Sequence, residues 1–248
     1  ILWKDYVARP PADYKQIIIA GIGGDRFTQS GKLQGEAMVL APNPEKKLIL
    51  RRLVLQESAV PSRAQLVQYA GYKVKLGEFA AGGDLVADDR ADFSSPVNTG
   101  LTFTKLMELV GAKRVPSLSE AAKYPSKMNS TGYVDSTDWK IIRAIVDRVF
   151  IGERKDKKTK FGVYNVIDTS LGNQEPELTE DGQIIRPGFT VWAAPELAKW
   201  APNSLLEFAG TMTLSKDKDK DGKTQKVTAS MNAYVINPIA AEKVPEKD

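Results

Sequence analysis

The 248-residue chain contains no histidine and no cysteine. Their absence removes zinc sites built from nitrogen and sulfur donors, histidine-ligated haem, thiol nucleophiles, disulfides and every Ser-His-Asp triad. Long hydrophobic runs are missing as well. Ile17 to Ile22, and Leu48 to Leu55 with its two arginines, are strand-sized, whereas a membrane-spanning helix needs roughly 20 apolar residues. The chain therefore reads as water-soluble, with no membrane partner. An excess of one charge is also scarce: 35 Lys+Arg stand against 31 Asp+Glu, for a net +4. Where the charges sit matters more than their sum. What remains is 42% hydrophobic, 27% charged and 8% aromatic, a globular composition long enough for one large domain or two small ones.

The first eighty residues read mainly as β-structure. Lys15 to Gly21, Lys32 to Leu40, Lys47 to Gln56 and Tyr69 to Phe79 are rich in Ile, Val, Leu and Tyr and are separated by Gly, Pro and Asn. The stretch from Ala80 to Gly100, with Asp84, Asp88, Asp89 and Asp92, reads as a long polar surface loop. The period then changes to 3.6: Phe103, Leu106, Met107 and Val110 fall on one helical face, with Gly111 as a stop. Ser117 and Glu120 have the spacing of a capping box, and residues 124–138 read as a linker.

The second half carries strands Arg143 to Glu153, Phe161 to Asp168 and Phe189 to Ala193, then a short helical stretch, Pro195 to Ala201. Two more strands follow, Leu205 to Leu214 and Lys226 to Ile236. Three strands, a helix and a hairpin is the order of the OB-fold, a five-stranded Greek-key barrel whose second and third strands and two loops hold oligonucleotides or oligosaccharides. The expected architecture is mainly β. It comprises a β-rich domain over 1–100 that is a candidate second OB-like barrel, a helical and linker segment over 101–137, an OB-fold over 138–238, and a tail over 239–248.

Three motifs are set aside. Ala20 to Arg26 (AGIGGDR) lacks the third glycine and the helix of a dinucleotide fingerprint, and reads as a β-turn. Asp217, Asp219, Asp221 and Gly222 match the opening of a calcium loop, but its twelfth position is Thr228 and no helix flanks it, so a solvated hairpin tip is expected. Asp88, Asp89 and Asp92 read as solvated loop carboxylates. No metal, cofactor, small-molecule substrate or catalytic residue is assigned, and an enzyme is not expected.

Charge is concentrated between Arg143 and Lys160. Seven cations (Arg143, Arg148, Arg154, Lys155, Lys157, Lys158, Lys160) face three acids (Asp147, Glu153, Asp156), which equals the whole chain's excess. On the first two strands of a barrel and their loop, these cations are placed to neutralise phosphates. Phe150, Phe161, Tyr164 and Trp192 lie among them as candidate stacking platforms. Phe161 and Tyr164 have opposite parity on one strand, so they cannot both point outward unless a bulge intervenes. Lys216, Lys218 and Lys220, with Lys223 and Lys226, give the last hairpin a mildly basic arm.

The run Val191-Trp192-Ala193-Ala194-Pro195-Glu196-Leu197-Ala198-Lys199-Trp200, then Asn203 to Met212, then Asp219-Lys220-Asp221-Gly222-Lys223 resembles the second half of bacterial-type single-stranded-DNA-binding proteins. The resemblance covers about a third of the chain and is continuous from Leu205 to Asn232. It implies a non-enzymatic, sequence-tolerant single-stranded-DNA-binding protein of replication or recombination. It further implies an intracellular location, cytoplasmic or nucleoid-associated, with organellar or viral origin left open, and a homo-oligomer. Trp192 matches a family aromatic at the end of the third strand. Asp217 stands where the family has a stacking aromatic, and the last residues, Val244 to Asp248, lack the family's acidic, Phe-terminated tip. The alternatives are a structural or assembly subunit that uses its barrels for protein contacts, and an RNA-binding OB subunit.

Overall fold

The computed structural model describes residues 14–43, 45–78, 84–121, 138–155, 159–169, 177–178, 184–185, 188–218 and 224–245. The chain divides into two compact units, Ile1–Gly111 with Lys155–Lys160, and Ala112–Arg154 with Phe161–Asp248. Among the described residues no helix is long and apolar enough to cross a membrane.

In the first unit, β1 (Tyr14–Phe27), β2 (Leu33–Pro42) and β3 (Leu48–Leu55) form an antiparallel meander. A 3-10 segment, Glu57–Gln65, leads to β4 (Gly71–Lys75) and β5 (Gly77–Glu78), separated only by Leu76, and then to β6 (Leu85–Ala87). The order is β4-β1-β2-β3-β6-β5, with β6 parallel to β3. Because β4 and β5 are successive pieces of one strand, that strand pairs with β1 along its first part and with β6 along its second. The sheet thus curls until its two margins share a strand, which is OB connectivity. Ile17, Ile19, Val39, Leu53, Leu55, Tyr72, Val74 and Phe93 fill its interior.

Two expectations change here. Residues 80–100 are not wholly a polar loop: Leu85, Val86 and Ala87 form a buried strand and Phe93 joins the core. A three-residue strand covered on both faces leaves no alternation to detect. Ala20–Arg26 is not a β-turn either, since β1 runs through it with register shifts between Ile19 and Gly21 and between Ile22 and Asp25. Strand glycines mark such bulges and bends. At Gly23 a Cβ would stand 2.9 Å from the Cβ of Glu36, so the close approach to β2 needs glycine there. The bulge is pinned by buried Arg63, whose guanidinium donates to both Asp25 carboxylate oxygens and to the Gly23 carbonyl.

Helix α1 (Phe103–Val110) follows the expected 3.6 period. Thr102 accepts from the Lys105 N–H at its start, Gly111 ends it at φ 67°, and Phe103, Leu106 and Met107 are buried. It packs against β3.

The second unit opens with β7 (Lys113–Arg114) and α2 (Leu118–Ala121), where Ser117 Oγ accepts from the Glu120 N–H. The barrel itself comprises β8 (Trp139–Glu153), β9 (Lys160–Asp168), β12 (Phe189–Ala193), β13 (Leu205–Lys218) and β14 (Thr224–Ala240), with the small hairpin β10 (Glu177–Leu178) and β11 (Ile184–Ile185) between β9 and β12. Its order is β13-β14-β12-β9-β8, closed by antiparallel pairing of β13 with β8, and β12 runs parallel to β14. This is a closed OB barrel with the same connectivity as the first unit. The strands extend beyond the sequence limits, β8 to Trp139 at its start and β13 and β14 into the charged hairpin.

Each unit also places a short 3-10 segment between its third and fourth strands, at Glu57–Gln65 and at Pro195–Leu197, and each anchors it with a buried tyrosine. Tyr72 donates to the Gln65 carbonyl and accepts from the Val67 N–H. Tyr164 donates to the Leu197 carbonyl (2.5 Å) and accepts from Lys199 N–H (3.0 Å) and Trp200 N–H (3.2 Å). A buried phenol needs such partners, and here they tie the connection to the barrel floor.

Candidate nucleic-acid interface

The parity of β9 and β12 decides which side chains enter the barrel and which lie on its outer face, where Val163, Ser230 and Thr211 are themselves buried. Tyr164, Val166, Phe189 and Val191 point into the barrel. Phe161, Val163 and Asn165, with Thr190 and Trp192, therefore share the outer face. Trp192 is 37% exposed there. The Phe161 ring lies beside it at 5.4 Å between centroids and 52° between planes, and the Arg154 guanidinium sits over the Phe161 ring, 5.8 Å from its centroid.

A glycine makes this arrangement possible. A Cβ at Gly152 would stand 2.5 Å from Phe161 Cζ and 2.8 Å from Cε2, so the ring rests directly on the β8 backbone. Gly152 therefore faces the same way as Phe161. Ile142, Ala144 and Val146 fill the interior from one parity of β8 and Val149 packs on it from the other, so the inward parity shifts between Val146 and Val149, and beyond that shift Arg148 and Phe150 share the outer face with Gly152. Phe150 is 48% exposed on that face. One surface thus carries Phe150, Phe161 and Trp192 with two arginines. It spans the end of the first strand and the second and third strands, the latter two being where an OB barrel receives a strand.

Beyond Trp192 the face becomes polar. The register sets Asn165, Thr190, Ser230 and Thr213 in one row across four strands, and Val163, Trp192, Asn232 and Thr211 in the next. Thr213 and Ser230 share a hydroxyl hydrogen bond of 2.8 Å. Asn232 donates from Nδ2 to the Tyr234 hydroxyl at 3.3 Å. Tyr234 is itself buried and stacked on Trp139, with centroids 5.6 Å apart and planes 4° from parallel.

The sequence-derived residues divide as follows. Trp192 and Arg154 meet in the cluster. Lys155 and Lys160 are exposed at the ends of β8 and β9, and Arg148 is exposed with its Nε 3.8 Å from Asp147. Tyr164 is corrected: it is wholly buried against Phe208 and holds the 3-10 connection, so it offers no platform to a ligand. Burial pushes its phenol up to about 12, against the pull of the Trp200 and Lys199 N–H groups. Arg143 is half-exposed on the outer face, but it shares the buried Glu207 carboxylate with Arg114 at 3.6 Å, so its charge is committed within the barrel. Lys216 and Lys218 lie on β13 opposite Val227 and Thr224. Lys157, Lys158 and Lys220 fall outside the described residues. Asn165, Thr190 and Asn232 were missed by sequence reasoning, because only the register aligns them with Trp192.

The corresponding face of the first unit has a different character. Ile18, Met38, Leu40 and Val54 occupy the outer positions of its first three strands, and all are buried. Three of its loop aspartates are engaged: Asp88 with the Arg90 guanidinium and backbone N–H, Asp92 with the Ser94 N–H, and Asp84 with Arg52. Among the described residues no group of three or more acidic side chains is placed to hold a metal ion.

No protein-family model matches the chain, and no curated protein matches it in sequence. Among solved structures, a murine DNA binding protein bound with double-stranded DNA aligns over 95% of this chain and 100% of its own, at 10% identity and a TM-score of 0.31. The wild-type single-stranded DNA binding protein from Thermus aquaticus aligns over 95% of each chain at 10% identity and a TM-score of 0.27. A deletion mutant of that Thermus protein aligns over 94% of this chain and 98% of its own at the same values. Likenesses with TM-scores this low carry no argument, and the OB assignment of this chain rests on its strand pairing.

Proposed function

We propose that the protein binds single-stranded DNA on the outer face of β8, β9 and β12, without strong choice of sequence, and shields exposed strands during replication or recombination. The observation that supports this is the open Phe161–Trp192 pair with Arg154 over it, on the strands where the OB topology places a ligand. Each base stacked on an aromatic contributes about 1–3 kcal/mol. Arg148, Arg154, Lys155 and Lys160 supply cations along the same hairpin. Homo-oligomeric assembly and a nucleoid-associated location belong to the same proposal.

The test is a titration with oligo-dT at low salt, followed by Trp fluorescence and anisotropy. Quenching that is lost in Trp192→Ala is expected, with log affinity falling against log salt at about −0.7 per phosphate contacted. No quenching and no anisotropy change at micromolar protein would refute the proposal.

A protein-contact reading has one observation in its favour, the exposure of both Phe150 and Ile151 (48% and 53%) on opposite faces of β8. It predicts a sedimentation change in Phe150→Ser and Ile151→Ser with no effect of oligonucleotide on the wild type.

A further inference from the structure

We propose that Asn232 reads the Watson–Crick edge of a base stacked on Trp192, so that this subsite accepts any unpaired base and rejects a paired one. The inference rests on the single-strand reading above and names how that site tells a strand from a duplex.

Asn232 is the direct register partner of Trp192 across the parallel β12–β14 pair, and in such a ladder partners project from the same face. Phe161 flanks Trp192 on the β9 side and Asn232 on the β14 side, so a base lying on the indole has its edge toward the carboxamide. The carboxamide is held in place. One Nδ2 hydrogen goes to the Tyr234 hydroxyl, and Tyr234 is immobilised by burial and by its stack on Trp139. Oδ1 accepts from no described group, and the proposal gives the base Oδ1 together with the Nδ2 hydrogen beside it, an acceptor next to a donor.

Every natural base carries a complementary pair on its Watson–Crick edge. Adenine offers N6–H and N1, cytosine N4–H and N3, guanine N1–H and O6, and thymine N3–H and O4. Adenine and cytosine present donor then acceptor and guanine and thymine the reverse, and turning the base over on the indole interchanges the two orders, so a fixed carboxamide can pair with each and asks only that the edge be free, a mode of recognition available on unstacked single strands. Such a contact suits a sequence-tolerant binder. It adds what stacking and phosphate contacts do not supply, a direct sensor of the unpaired state.

The experiment compares dT12 with the same oligomer built from N3-methylthymidine, using the full chain and anisotropy at fixed salt. The methyl group removes the N3–H donor and fills the edge while leaving the ring free to stack. A bidentate base contact corresponds to at least about 5-fold in affinity, and the wild type is expected to prefer dT12 by that factor or more. Asn232→Ala and the near-isosteric Asn232→Leu are expected to bring the ratio to about one. Tyr234→Phe, which frees the carboxamide to rotate, should reduce it. Equal binding of both oligomers by the wild type overturns the inference alone, as does a ratio that persists in both Asn232 variants. Binding of neither oligomer overturns the single-strand reading and this inference with it.

Discussion

Replacing Gly152 by alanine tests whether the Phe161 platform is set by the β8 backbone beneath it. The new Cβ falls 2.5 Å from Phe161 Cζ, 2.8 Å from Cε2 and 3.1 Å from Cε1. Carbon atoms rest at about 3.5–4.0 Å, so the ring has to withdraw by roughly 1 Å or swing to another rotamer. It can do so, because the obstructing atoms are the far end of a side chain only half-buried at the surface. Gly152 is not among the positive-φ glycines, so alanine meets no backbone strain. Removing a strand glycine by itself contributes about 0.5–1 kcal/mol of stability. The melting temperature should therefore hold or rise slightly while the ring leaves its place beside Arg154 and Trp192. Loss of one stacking platform lowers oligo-dT affinity by about 1–3 kcal/mol, roughly 5- to 150-fold. Phe161→Ala should give a similar loss, and the double variant should be no worse than Phe161→Ala alone, since both changes act through one ring. Fluorescence anisotropy measures the affinities and thermal denaturation the fold. Full affinity in Gly152→Ala, or additive losses in the double variant, would refute the reasoning.

Three further outcomes follow from the same geometry. Tyr164→Phe keeps the ring against Phe208 but leaves the Leu197 carbonyl and the Lys199 and Trp200 N–H groups without their partner. It should cost about 1–3 kcal/mol of stability in urea denaturation, with oligonucleotide affinity at low denaturant nearly intact. In alkali, a phenol raised to about 12 in the folded state against about 10 in the unfolded chain contributes stability that is complete below pH ~10. That contribution is lost as pH climbs through about 12. Wild type should lose more stability than Tyr164→Phe across that window, as followed by circular dichroism, and equal slopes would contradict the assignment. Arg154→Glu combined with Lys155→Glu and Lys160→Glu should weaken binding and flatten the log–log salt dependence by about 2, at about 0.7 per cation. An unchanged slope would place the phosphate track elsewhere.

Much of this fold was legible because its elements obey simple periods. Phe103, Leu106, Met107 and Val110 repeat at helical spacing, and the helix spans Phe103–Val110. Phe189–Ala193 alternates buried and more open positions and forms the strand expected there. Elements lacking a period were harder to see. Trp139 to Ile142 are all buried, so the start of β8 shows no alternation, and Leu85–Ala87 is too short to show any. Tyr164 was misjudged because β9 has apolar residues of both parities. Asn165 held the missing signal, because a polar residue with the parity of Phe161 marks that side of the strand as the wet one and sends Tyr164 inward.

The same test separates the closed barrel from the curled sheet of the first unit, which share one connectivity but not one surface, and a shared fold does not by itself imply a shared function. In β2 the run Ala37-Met38-Val39-Leu40-Ala41 is apolar at every position, and every one of those residues is buried. A strand that reads so has both faces covered. In β9 and β12, Asn165 and Thr190 interrupt the apolar sequence on one parity only, and Trp192 lies on that parity, at the surface. An exposed tryptophan among polar neighbours does little to hold a barrel together, whereas it can stack a base. The polar residues between the aromatics, more than the aromatics themselves, therefore indicate which barrel face is open to a strand.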